Sequence, residues 1–263
     1  MAKAATAEPV TGRDRNGVLL LVAFAASVAG ALYLVPPIAQ RADYHLFADA
    51  RTCLGIPNGL NVLSNLPFTV IGVLGLMALG RPGQLAVDRG LSYAYWVFFI
   101  GLALTGPGSI YYHLSPSNPT LVWDRLPIAV AFMGLYAAII GERISELAGK
   151  LLLPVLVAGG IWSVVHWAMT DDLRPYAFVQ FFPLVTIPMI LYWFRPTWTR
   201  GGDLLVAIGC YVAAKAVEEM DRVIYAAGTI VSGHTLKHLA AALGAFVVYR
   251  MLVIRQPAPV ARG

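Results

Sequence analysis

Three histidines, one aspartate and one serine carry the chemical interest of this sequence. His234 and His238 form an H-x-x-x-H pair in SGHTLKHLAA, and a helical spacing of four sets both imidazoles on one face about one turn apart. His113 closes GPGSIYYHLS, with Ser109 four residues earlier and therefore on the same face of a helix. Asp124, in LVWDRLP, follows His113 by eleven residues, across a loop holding Pro116 and Pro119. Three neutral imidazoles with one position open to water are the usual ligand set of a catalytic zinc ion. Such an ion lowers the pKa of bound water to about 7. Asp124 suits a general base that takes a proton and returns it to a leaving group, and the Ser109 hydroxyl suits a partner for that water or for a developing oxyanion. Each residue also has a plainer role: an interfacial histidine pair, a serine bonded back to its own helix, an aspartate capping the next helix.

The chain that must position these groups is built for a bilayer. Of 263 residues, 58% are apolar and only 13% charged, with a mean hydropathy of +0.69, whereas soluble domains carry about 25% charged residues. Too few charges remain to coat a water-facing surface, which argues against a soluble enzyme. Disorder, a collagen and a disulfide scaffold are excluded as well; Cys53 and Cys210 are not expected to pair. The net charge of +5 is spread singly between apolar runs, so no nucleic-acid partner is expected.

Eight stretches approach the roughly 20 apolar residues that a membrane helix needs: 18–38, 60–79, 91–112, 124–140, 151–167, 177–193, 204–224 and 234–254. Alternating strands of a membrane barrel are absent from the pattern. No small-x-small cleavage signal precedes Asp43, so the first stretch reads as a retained helix rather than a signal peptide. The expected fold is an all-α integral membrane protein with a seven-helix transmembrane core and one extra N-terminal transmembrane helix. The expected divisions are an N-terminal cytoplasmic tail (1–16), the extra helix (17–39), the core (40–255) and a C-terminal tail (256–263).

Grouping the loops by side places twelve Lys and Arg residues with the two termini and six on the opposite face. The excess predicts both termini in the cytoplasm. Drawn this way, His113, Asp124, His234 and His238 reach the same depth near the non-cytoplasmic face. Ionisable groups at such positions are candidate functional sites by default.

The Ser-x-x-x-His pattern, the aspartate eleven residues on, the terminal His-x-x-x-His and the segment NVLSNLPF at 61–68 together resemble the alkaline ceramidases. Their wider membrane-hydrolase superfamily includes adiponectin/progestin-type receptors and hemolysin III-like proteins. The resemblance covers roughly residues 43–252. It implies a seven-helix core that binds Zn2+ through His113, His234 and His238, with Ser109 and Asp124 completing the site. The implied reaction is hydrolysis of the N-acyl bond of ceramide or a related lipid amide to a fatty acid and a long-chain amine, with a membrane lipid as the partner. The alternative is a non-enzymatic, receptor-like or hemolysin III-like protein with a structural zinc.

Two features depart from the family pattern. The helix at 17–39 precedes the family's seven. An acidic cluster that would bind Ca2+ before the first core helix is reduced here to Asp43 and Asp49, with Asn58 and Asn61 as further candidates, short of the several carboxylates calcium prefers. A capped, solvated loop is the competing reading. Elsewhere, Lys215 and Glu219 are spaced for an internal i, i+4 ion pair, with a retinal-binding or transport lysine as the rival. His45 and His166 read as interfacial or packing residues, and the tryptophans read mostly as an interfacial belt.

Overall fold

The computed structural model describes residues 12–259; most of the expected N-terminal tail and residues 260–263 lie outside them. The described residues contain ten α-helices: α1 (Gly12–Leu34), α2 (Gly59–Leu63), α3 (Leu66–Leu79), α4 (Ser92–Leu114), α5 (Asn118–Arg143), α6 (Glu146–Thr170), α7 (Arg174–Trp193), α8 (Gly202–Glu219), α9 (Asp221–Gly228) and α10 (Gly233–Ile254). No strand occurs among the described residues. Seven segments are long and apolar enough to cross a membrane: α1, the combined α2–α3, α4, α5, α6, α7 and α10. Helix α8 has 18 residues but carries Asp203, Lys215, Glu218 and Glu219, and it completes the core by packing on α7 and α10.

The core closes as a ring in which α3 packs on α4, α4 on α5, α5 on α7, α7 on α8, α8 on α10 and α10 on α3. Helix α6 lies against α5 and α7, and α1 lies against α7 from outside. The segment 35–58 returns as a strap across the end of the bundle where α4 finishes and α5 and α10 begin. The strap is stitched down at several points. Gln40 N–H donates to Asp171 Oδ1 (3.1 Å), the His45 ring nitrogens meet Tyr112 Oη (3.0 Å) and Asn118 Oδ1 (2.9 Å), and Ala48 N–H donates to Asp221 Oδ2 (2.8 Å).

Several sequence boundaries move, each for a local reason. Helix α1 stops at Leu34 rather than continuing to Ile38, because Pro36 and Pro37 disfavour helix before them. Helix α5 begins at Asn118, capped by Ser117 in a capping box with Thr120, so Asp124 lies in its second turn and is not its cap. The stretch 204–224 is not one helix: α8 ends at Glu219 and α9 starts at Asp221. The break frees Asp221, whose Oδ1 accepts from the backbone N–H of His234 at 2.7 Å, placing an anion at the positive end of α10.

The opposite end of the bundle is held by a buried ion pair. Arg255 donates from Nη1 and Nη2 to Glu142 at 2.9 and 2.5 Å. Tyr95 Oη also donates to Glu142 (2.7 Å), and Arg255 Nε donates to the Ala86 carbonyl (2.7 Å).

Candidate functional site

Two prolines and a glycine set the contact between α4 and α5 that aligns the site. Pro107 in α4 has no N–H for the Ala103 carbonyl, and Thr69 of α3 supplies the missing donor at 3.2 Å. Pro127 in α5 likewise releases the Trp123 carbonyl. Gly108 of α4 sits directly against that carbonyl oxygen, where any Cβ would overlap it; small residues allow such close approach between membrane helices. The adjoining residues on the two helices are Ser109 and Asp124, and both line the same chamber. Ser109 is almost fully buried.

His113, His234 and His238 are all buried and offer nitrogen atoms that lie within 4.8 Å of one another. They form the one group of three or more His, Cys, Asp or Glu side chains among the described residues with this property. The Nε2 atoms of His113 and His238 are 3.2 Å apart. Two nitrogens bound tetrahedrally at about 2.0–2.1 Å from one zinc ion would stand about 3.3 Å apart.

Two side chains hold His238 by Nδ1: Ser64 Oγ at 2.8 Å and Asn65 Nδ2 at 3.3 Å. Ser64 Oγ also donates to the Asn61 carbonyl (3.0 Å), which suits it to accept from Nδ1, with Nε2 turned to the other two rings. His234 Nε2 and His113 Nδ1 have no hydrogen-bond partner among the described residues although both are buried. Unpaired buried nitrogens are costly, and a cation between the three rings would relieve that cost for those facing it. The donor set therefore fits a zinc ion. Phe47 of the strap covers the cluster, its ring centroid 4.8 Å from that of His113 and 4.4 Å from that of His234.

Beside the histidines opens a chamber of ≈ 320 Å³, lined among others by Ser109, Asp124, Arg125, Glu218, Lys237 and His238. Glu218 is paired with both Lys215 and Lys237 and accepts from Tyr44 Oη at 3.3 Å. This corrects the expected Lys215–Glu219 pair: Lys215 reaches the residue three positions on, and Glu219 faces Arg41 at 3.8 Å instead. The chamber shares Phe68, Thr105, Ile128, Tyr211 and Ala241 with an apolar cavity of ≈ 160 Å³ between α4, α5, α7, α8 and α10.

The calcium candidates are each committed within the fold. Asp43 pairs with Arg41 at 2.8 Å. Asp49 is gripped by Arg51 through Nε and Nη2, both at 2.8 Å, and that guanidinium holds its carboxyl below the usual carboxylate range. Asn58 Nδ2 donates to the His113 carbonyl (2.9 Å). Asn61 donates to the Asp49 carbonyl (3.0 Å) and accepts from Thr235 Oγ1 (2.8 Å).

Cys53 and Cys210 are both free, and Trp167 is a fully buried residue rather than part of an interfacial belt. The supporting roles of Ser64, Phe47 and Asp221 escaped the sequence reading. Ser64 lay in the quoted NVLSNLPF segment, which was the available signal for it; Phe47 and Asp221 act across distances no spacing rule covers.

The comparisons with known proteins come to bear on this geometry. A family model described as Ceramidase matches residues 56–256, a range that holds all five residues of the histidine–aspartate–serine constellation. No curated protein sequence matches the chain.

Proposed function

The chain belongs to the ceramidase family, and from that premise we propose that it is a zinc-dependent amidase working within the membrane. Its substrate is ceramide or a related lipid amide, and its products are a fatty acid and a long-chain amine. The observation that carries this reading is the convergence of His113, His234 and His238 on one point beside a chamber lined by Asp124 and Ser109. His113, His234 and His238 would hold the ion. Bound there, zinc supplies a Lewis acid and a water acidified toward neutrality. Three protein ligands leave a position open, as catalytic sites do, whereas a structural zinc is closed by four; this favours the enzyme over a receptor-like role.

The remaining steps belong to side chains. Asp124 takes a proton as water adds to the amide carbonyl, then gives it to the nitrogen as the carbon–nitrogen bond breaks. Ser109, on the same chamber wall, would donate its one hydroxyl proton to the developing oxyanion, a contribution of about 3 kcal/mol where such donors have been removed. The apolar cavity receives the acyl chain. Helices α7 and α8 make the sparsest contact of any neighbouring pair in the ring, and the lipid would pass between them from the bilayer. The twelve-to-six distribution of basic residues supports cytoplasmic termini and a site near the non-cytoplasmic face.

The test is metal analysis of the purified chain, joined to release of fatty acid from a panel of ceramides and other N-acyl lipids with and without chelator. One zinc per chain, turnover abolished by chelation and restored by zinc, and loss of the metal in His238→Ala are expected. Stoichiometric zinc in His238→Ala removes the ligand assignment, and no turnover across the panel removes the enzyme.

A further inference from the structure

Arg125 follows the proposed proton carrier in sequence and lines the same chamber, yet nothing in the mechanism above uses it. It is only 6% exposed. Its guanidinium lies 4.0 Å from the ring centroid of Trp167 and 4.8 Å from that of Tyr176, and Nη2 donates to Gln40 Oε1 at 2.6 Å. Rings satisfy the two faces of a guanidinium but not the N–H groups in its plane, and Nη1 has no hydrogen-bond partner among the described residues. None of the ion pairs among those residues includes Arg125. A buried cation with no carboxylate in direct contact and an incomplete set of acceptors is expensive to maintain for packing alone.

The charge of the chamber leans the same way. Lys215 and Lys237 share the single carboxylate of Glu218, and the lining as a whole sets four cationic side chains, Arg41, Arg125, Lys215 and Lys237, against three carboxylates, Asp124, Glu218 and Glu219. The histidines are neutral when they serve as ligands, and a divalent ion would add to the positive excess. An oxoanion arriving with the ligand would offset that excess and give Arg125 Nη1 an acceptor.

We infer that Arg125 forms an anion subsite for the amine half of the substrate, so that the favoured lipid amides carry a carboxylate, sulfonate or phosphate on that half. This rests on the amidase reading and, among the lipid amides that reading allows, favours those with an acidic amine half over ceramide itself. The side of the amide follows from position. Arg125 lines the chamber but not the adjoining apolar cavity, and it neighbours Asp124, which hands its proton to the departing nitrogen. The reaction stays hydrolysis: the carbon–nitrogen bond breaks, its electron pair and one proton go to nitrogen, and the products are a fatty acid and an anionic amine. A planar guanidinium suits an oxoanion better than an ammonium does.

The test is calorimetric titration of the full chain in neutral maltoside micelles with N-dodecanoylglycine and N-dodecanoylethanolamine, which differ by a carboxylate against a hydroxymethyl. Chelator is present so that both ligands survive the titration. The glycine conjugate is expected to bind at least about tenfold more tightly, the usual difference for a hydrogen bond to a charged group. Arg125→Gln should abolish the preference and Arg125→Lys should keep part of it. Equal affinities in the unaltered chain overturn the inference, as does a preference that survives in Arg125→Gln; the first comparison needs no variant to fold. Dodecanoate is the third ligand. If it binds as tightly as N-dodecanoylglycine with the same dependence on Arg125, the anion belongs to the acyl half and the placement is wrong. A preference for the glycine conjugate without turnover of any amide by the zinc-loaded protein removes the amidase reading alone. Turnover with equal affinities removes this inference alone.

Discussion

The Nε2 atoms of His113 and His238 lie 3.2 Å apart although 125 positions separate the two residues in the chain. The Ser64 hydroxyl behind His238 holds that ring by Nδ1 at 2.8 Å, with Nε2 on the far side turned to His113. Partners of this kind typically contribute 10–100-fold to metal affinity. Ser64→Ala should therefore weaken zinc binding by about that factor in a chelator competition while the fold persists. Unchanged competition would show that the ring is oriented by something else.

Gly108 tests the seam between α4 and α5. In Gly108→Ala the new methyl meets the Trp123 carbonyl, and the two helices must part. Overpacking of this sort costs about 1–3 kcal/mol of stability, and displacement of reacting groups by about 1 Å can cost about 100-fold in rate. Turnover should fall further than the melting temperature implies. Gly159→Ala, with no neighbour near its Cβ position, is the control, and equal behaviour of the two variants would dismiss the seam as a determinant.

At the other end of the molecule, Arg255→Met strands the Glu142 carboxylate in a buried position. Breaking such a pair costs about 3–5 kcal/mol, to be read as a drop in thermal stability with zinc content per folded chain unchanged. Replacing both partners, with Glu142→Gln added, should return much of the loss.

Acid should act at the junction of α1 with the core. Asp172 accepts from Arg174 and from the Ile38 N–H at 3.4 Å, and Arg174 donates onward to the Leu32 carbonyl at 3.2 Å. The Arg174 guanidinium holds the Asp172 carboxyl well below the usual carboxylate range. A depressed carboxylate contributes fully above its unfolded pKa of about 3.9 and loses that contribution as pH falls through the lower folded value. Protease sensitivity of the chain around Pro36 should be flat from pH 8 to pH 5 and rise only below about pH 4. A rise near neutrality would assign the junction to another group.

The sequence made the membrane class and the histidine set legible because both rest on local periodicity: apolar runs of helical length and a four-residue spacing. The span expected to open at Asp124 starts six residues earlier, and the alternative capping role for that aspartate falls away. SPSNPT reads as a proline-broken loop. Its Ser117 and Thr120 instead start α5 earlier with a capping box that lacks the usual acidic partner. Lys215 was given the wrong glutamate because Glu218 and Glu219 both lie within helical reach, and the choice was decided by Lys237 from α10. The cage of Trp167 and Tyr176 around Arg125 joins three helices and left no trace in any one of them.

The strap has a kinetic consequence. Segment 35–58 is bonded to α4, α5, α9 and the α6–α7 turn and roofs the chamber on its aqueous end, while the apolar cavity abuts the sparse wall between α7 and α8. A lipid consumed through that wall is met by two-dimensional diffusion. Turnover would then follow the mole fraction of substrate among its bilayer neighbours, and diluting the vesicles with inert phospholipid would slow it where diluting them with buffer would not.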